Sequence, residues 1–228
     1  MTFFGEISEP STRTAWEDWD DVVLQEALPE LRLQNAVDPP GEIDTLLILE
    51  GRYLYDSVKA QTGLECINSI PQASVRLYKT KATNNYICTI KDYNLVSSSE
   101  IVEQLKDYIT NSTDVIAVLM KPIAEYQVAH LVHKDYVLRS IITSNKKTKC
   151  LDFNFPSLEQ PNIISGVTAG AISWREMIDK PAVAVVCYTE YPEEQDIPEL
   201  QALLEKFHVI SHMDQVKRSN VLSSNLYI

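Results

Sequence analysis

Residues 158–190 read LEQPNIISGVTAGAISWREMIDKPAVAVVCYTE, in the order loop, helix, sharp stop, buried strand. Pro156 and Pro161 bracket an irregular entry, because neither can donate to a ladder and each restricts the residue before it. From Val167 the apolar side chains recur at Ala171, Trp174 and Ile178, which places them on one stripe of a helix. Asp179 and Lys180 end that pattern, and Pro181 forbids its continuation. Ala182–Tyr188 is then apolar without a break, as strands buried on both faces are. A helix feeding such a strand is half of an α/β layer, and this strand is expected at the centre of a sheet.

Outward from this unit the chain alternates in the same way. Thr45–Glu50 (TLLILE) reads as the first strand, Tyr53–Gln61 as a helix closed by Gly63, and Glu65–Ile70, Ser74–Thr80 and Asn84–Ile90 as β-rich pieces. Thr83-Asn84-Asn85 has the composition of a hairpin turn. Ser97 stands three residues before Glu100, the spacing of a capping box, and Ile101, Val102, Leu105, Tyr108 and Ile109 form one helical face. Val115–Met120 is a second fully apolar strand. Between Lys121 and Cys150 the pattern weakens; a short helix is expected near Asp135–Ile142, with Asn145–Lys149 a basic loop. Tyr191–Ile197 is an acidic loop, Pro198 opens a helix burying Leu200, Leu203, Leu204 and Phe207, and a short helix is expected around Met213–Leu222. Strands alternating with helices predict an α/β domain with a covered, mixed sheet.

The domain is expected to span residues 41–219, opening at Pro39-Pro40-Gly41. Before it lie an apolar tip at residues 2–7 and an acidic segment, Trp16–Pro40, whose composition suits a flexible arm with a short helix around Val22–Leu33. After it, residues 220–228 form a polar tether that ends in Leu226-Tyr227-Ile228.

The 228 residues carry a net charge of −12 at a pI near 4.8, with 45% apolar and 23% charged residues. This composition is globular, and its charge argues against nucleic acid or an anionic membrane as the main partner. No stretch reaches the ~18 apolar residues of a membrane span, and the first residues lack the layout of a secretory signal. The four cysteines (Cys66, Cys88, Cys150 and Cys187) have no ligand-like spacing, so they read as reduced thiols of a cytosolic protein. The six glycines build neither a GxGxxG nor a P-loop. Gly166 and Gly170, four apart at a helix start, suit close packing better than phosphate binding. His130/His133 and His208/His212 lack the glutamate of HExxH, and no serine sits in a GxSxG elbow. Asp152, Glu159, Asp179 and Glu190 flank the opening unit as capping or solvated acids. No catalytic residue, metal or cofactor is expected.

Four blocks in chain order resemble the proteasome assembly chaperone 1 family: Met1-Thr2-Phe3-Phe4-Gly5-Glu6, Leu158-Glu159-Gln160-Pro161-Asn162-Ile163, Val186-Cys187-Tyr188-Thr189 and Ser224-Asn225-Leu226-Tyr227-Ile228. The resemblance implies a three-layer αβα sandwich of the phosphorylase/hydrolase-like kind. It also implies a non-enzymatic chaperone that pairs with proteasome assembly chaperone 2 and binds proteasome alpha-type subunits. It implies a cytoplasmic location, with the nucleus left open. The tail then takes on meaning. A terminal carboxylate can pair with a lysine, Tyr227 supplies a rigid ring with a polar tip, and Leu226 fills a wall. In the proteasome such tails enter pockets between adjacent alpha subunits, so Leu226, Tyr227 and Ile228 are the expected partner-binding residues. The alternative on the same sandwich is a small-molecule enzyme, since related folds include phosphorylases and hydrolases.

Overall fold

The computed structural model of the chain describes residues 30–35, 41–59, 61, 63–81, 83–128, 135–145, 155–192 and 197–210. In chain order these form β1 (Ile43–Glu50), α1 (Arg52–Lys59), β2 (Leu64–Ile70), β3 (Val75–Thr80), β4 (Asn85–Ile90), α2 (Ser98–Asn111), β5 (Ser112–Pro122), β6 (Tyr136–Ile142), α3 (Gly166–Met177), β7 (Ala182–Thr189) and α4 (Pro198–Lys206). The strands join one seven-stranded sheet in the order β2-β3-β4-β1-β5-β7-β6. Neighbours from β4 to β7 pair parallel, while β2/β3, β3/β4 and β6/β7 pair antiparallel. The mixed sheet is the one expected.

Period-two alternation on β1 divides the core. Leu46 and Ile48 pack with Ile101, Leu105 and Ile109 of α2 and Val167, Ala171 and Ile172 of α3. Leu47 and Leu49 face the other way, toward Leu54 and Val58 of α1 and Leu200, Leu203 and Leu204 of α4. Helices therefore cover both faces, which explains why β1 is apolar on both. The four leucine and isoleucine side chains Leu46–Leu49 are wholly buried. At ~1.5–3 kcal/mol each, their burial is comparable to the net stability of a typical domain.

Four details differ from the sequence reading. The centre of the sheet is β1, not Ala182–Tyr188; β7 lies next to the edge and is buried because β5 and β6 flank it. Residues Tyr136–Ile142 form a strand, not a helix, held antiparallel to β7. Ser97 makes no side-chain cap on α2. It belongs to a short 3-10 turn, Leu95–Ser97, where Asn94 Oδ1 accepts from Val96 N at 3.0 Å. Glu100, released from capping, accepts instead from Leu31 N at 2.6 Å.

That last bond belongs to a strap. Leu31 is buried in the core beside α2, Gln34 N donates to Ser69 O on the β2 edge at 2.9 Å, and Asn35 N donates to Asn68 Oδ1 at 3.1 Å. The compact unit accordingly begins at Leu31, ahead of Pro39-Pro40-Gly41. Residues 2–7, 16–29 and 36–40, the helix expected at Met213–Leu222 and the tail lie outside the described residues.

Candidate functional site

In an open α/β sheet, ligands bind outside the carboxyl ends of parallel strands, where neighbouring strands send their chains to opposite faces. Here that point lies between β1 and β4. From β1 the chain turns at Gly51 into α1 on one face, and from β4 it leaves through residues 91–97 into α2 on the other. Gly51 has φ +137°, and a Cβ there would lie 3.0 Å from Met120 Cβ, so only glycine fits the turn.

The side chain at the bottom of this crevice is Glu50, the last residue of β1, only 7% exposed. Its two carboxylate oxygens face donors on both sides. Tyr93 donates its hydroxyl to Oε1 at 2.5 Å; Thr168 donates its backbone N–H to Oε2 at 3.0 Å and its hydroxyl at 2.6 Å. Tyr93 in turn accepts from Val167 N at 2.9 Å. The first-turn N–H groups of α3 are therefore met by a carboxylate and a phenol of the chain itself, where an anionic ligand would otherwise gain from the helix dipole. Burial, then the Glu50 charge, pushes the Tyr93 hydroxyl well above the usual phenol range, so it stays a donor.

Gly166 makes the approach possible. Its φ is +83°, and a Cβ would lie 2.7 Å from Glu50 Oε1 and overlap the Tyr93 hydroxyl. Gly170, one turn on, lets Val102 of α2 come close; a Cβ there would lie 2.8 Å from Val102 Cγ2. Both glycines serve close packing, as the sequence suggested. At the rim, Arg52 Nε bridges to Asp92 at 3.1 and 3.2 Å, linking the β1 and β4 exits.

A second polar cluster lies on the α2/α3 side of β6 and β7. Arg139 Nε donates to Glu159 Oε2 at 2.7 Å and Nη2 to Oε1 at 3.1 Å, a bidentate fork. Tyr126 donates to Glu159 and stacks its ring 4.9 Å from Tyr188. The Arg139 hydrogen bonds hold the Glu159 carboxyl down to about 2, while burial and Glu159 push Tyr126 up to about 12. Asn162, after the cis Gln160–Pro161 bond, exchanges two 2.8 Å hydrogen bonds with Gln127. Glu159, expected to be a capping or solvated acid, is thus the anchor that fixes the Leu158–Ile163 loop to the sheet.

Chemically, both clusters are closed on themselves. Among the described residues, no group of three or more His, Cys, Asp or Glu side chains is placed to hold a metal ion. Asp179 occupies a left-handed turn at φ +53° after α3, and His208 one at φ +56° after α4. Cys88 and Cys187 are buried free thiols, and Cys66 is an exposed one. His130, His133, His212, Asp152, Cys150 and the tail residues Leu226, Tyr227 and Ile228 lie outside the described residues. Sequence reading missed Glu50, Tyr93 and Thr168. The available signal was a carboxylate closing an apolar strand directly before a glycine, Glu50-Gly51. Among the described residues, no helix is long and apolar enough to cross a membrane.

No protein-family model matches the sequence, and no curated protein matches it either. Solved structures do resemble the fold. PbaA of Pyrococcus furiosus, described as an archaeal homolog of proteasome-assembly chaperone, aligns with a TM-score of 0.57 at 11% identity, over 81% of this chain and 88% of that one. Its monoclinic form gives 0.54 at 10% identity over 74% and 79%. A Thermoplasma acidophilum protein of unknown function gives 0.51 at 10% identity over 73% and 77%. At these identities the likeness is one of fold: an α/β body whose mixed seven-stranded sheet is flanked by helices.

Proposed function

We propose that the protein is a non-enzymatic chaperone for assembly of the proteasome core particle. It pairs with proteasome assembly chaperone 2 and binds the alpha ring. Leu226-Tyr227-Ile228 docks in a pocket between adjacent alpha subunits, with residues 220–225 as the tether. The observation that carries this reading is the likeness of fold, over 81% of the chain, to a protein described as a homolog of proteasome-assembly chaperone. The four sequence blocks that resemble the chaperone family support the same reading. The crevice supports the non-enzymatic part, because Glu50 is committed to Tyr93 and Thr168 and the α3 N-terminus is already capped. The protein works in the cytoplasm, with the nucleus left open, and needs no cofactor.

Affinity purification of the tagged full chain from cells, followed by mass spectrometry, tests the reading. Alpha-type proteasome subunits and the partner chaperone are the expected prey. Recovery of neither, from cells actively assembling proteasomes, would sink it. A substrate screen returning hydrolase or phosphorylase turnover that disappears in Glu50→Gln would favour the enzyme instead.

A further inference from the structure

We infer that the rim at the carboxyl end of the parallel strands is the surface through which this chain meets its partner, a protein surface of apolar side chains bordered by basic groups. The inference rests on the pairing proposed above and adds where it occurs. Of the seven large apolar side chains left exposed among the described residues, five stand on this rim: Leu95, Val96, Val128, Ile163 and Tyr191. Val96 is 72% and Ile163 78% exposed. Leu95 and Val96 follow β4, Val128 follows β5 and Tyr191 follows β7; Ile163 precedes α3, whose first turn is bonded to Glu50 at the end of β1. The other two, Ile142 and Met177, lie at the opposite end, where β6 and α3 finish.

The rim is built to hold its shape. Asn94 fixes the turn that carries Val96, the Asn162–Gln127 pair ties the Ile163 loop to the segment carrying Val128, and Tyr93 links the β4 exit to α3. Loops ordered in advance lose little entropy on binding, so apolar groups presented this way are suited to association.

Other surfaces are less open. Helices cover both sheet faces. On the β2 edge, Gln34 and Asn35 take the outward groups of Ser69, Asn68 and Ile67. On the β6 edge, Ser140 N donates to Pro156 O and Leu158 N donates to Ser140 O, both at 2.8 Å, while Arg139 covers Leu138 O. Edges blunted in this manner do not add a strand readily. Charge selects the occupant. The rim cations Arg52, Lys91 and Lys121 are paired with Asp92, Asp56 and Glu125, while Glu190, exposed directly after β7, adds a carboxylate. In a chain of net charge −12, this balance favours a basic border on the partner and opposes a second copy of itself.

The test uses the full chain and purified proteasome assembly chaperone 2, with binding measured by titration and oligomeric state by light scattering. Leu95→Ser/Val96→Ser and Ile163→Ser are expected to weaken pairing about tenfold or more, with unchanged melting temperature. The near-isosteric Val96→Thr, which cannot upset the turn, is expected to weaken it less. Ile142→Ser and Met177→Ser should bind as wild type does. Rim variants that pair normally, in a wild type that pairs, overturn the inference while leaving the pairing intact. A wild type that binds no partner removes both. A homodimer lost in the rim variants would contradict the charge argument and the occupant chosen here.

Discussion

Glu50 joins parts of the chain that are remote in sequence, since Tyr93 lies 43 residues away and Thr168 lies 118 away. No local spacing announces such contacts; the sequence shows only a carboxylate that closes TLLILE directly before Gly51. Glu50→Ala would leave the donors of Tyr93 and Thr168 facing a gap. A buried donor without a partner costs ~1–3 kcal/mol, so the variant is expected to lose about 2–4 kcal/mol in denaturant unfolding. Gly166→Ala should cost ~3 kcal/mol, since it adds left-handed strain to overlap with Glu50 and Tyr93. Glu159 supplies a pH signature. Its carboxyl is held at about 2 instead of the ordinary 4.5, so the unfolded chain takes up protons first as pH falls. The stabilisation it provides is complete above about pH 4.5 and drains as pH approaches 2. Because Glu159 is partly exposed, solvent screening keeps the effect small. Stability curves measured from pH 2 to 6 should be flatter in Glu159→Gln over that window, and a slope unchanged by the substitution would remove the role assigned to the Arg139 fork.

Elements were legible where burial leaves a one-sided or uninterrupted pattern. The apolar stripe of α3 and the runs of β1, β5 and β7 are visible directly, and the hairpin at Thr83–Asn85 joins β3 to β4 as read. An uninterrupted apolar run reports burial on both faces but not position, which is why β7 looked central. β6 misled for a different reason. Val137, Leu138, Ile141 and Ile142 recur with helical spacing because the strand packs on both sides, Val137 beside Tyr126 and Leu138 beside the α4 layer. At the joint between α2, β5 and α3 the part played by Arg175 was illegible, since its partners are carbonyls 6 to 66 residues away. This fully buried guanidinium donates to the carbonyls of Ile109, Ser112, Thr113 and Pro181 at 2.7–3.2 Å. Burial holds its pKa down to about 10, and it remains the cation that finishes α2. In Arg175→Met those carbonyls lose their donors, and a loss of ~3–5 kcal/mol is expected. Arg175→Lys, which keeps charge but not the fork, should recover less than half of it. A Met variant as stable as wild type would show that the carbonyls find other partners.

At the scale of the whole molecule, the described residues form a closed crevice and blunted sheet edges, and the proposed activity is concentrated in the last three residues. Composition placed the protein among acidic globular domains, yet the role proposed for Leu226-Tyr227-Ile228 rests on resemblance, because a tripeptide carries too little information alone. Burying the Tyr227 ring should contribute on the order of 2 kcal/mol, and a charge-assisted bond from a lysine to the Ile228 carboxylate ~1.5–3 kcal/mol. Ordering of the tether offsets part of this, leaving roughly 30- to 1000-fold in affinity. The decisive measurement is a titration of purified proteasome alpha rings with wild type, a protein lacking Leu226–Ile228, and one with a single glycine added after Ile228. The added glycine keeps every side chain but moves the carboxylate by ~3.5 Å. Docking of the terminal carboxylate predicts that the extension weakens binding nearly as much as the deletion, with unchanged melting temperature and partner pairing. Wild-type affinity in the glycine-extended protein would contradict it.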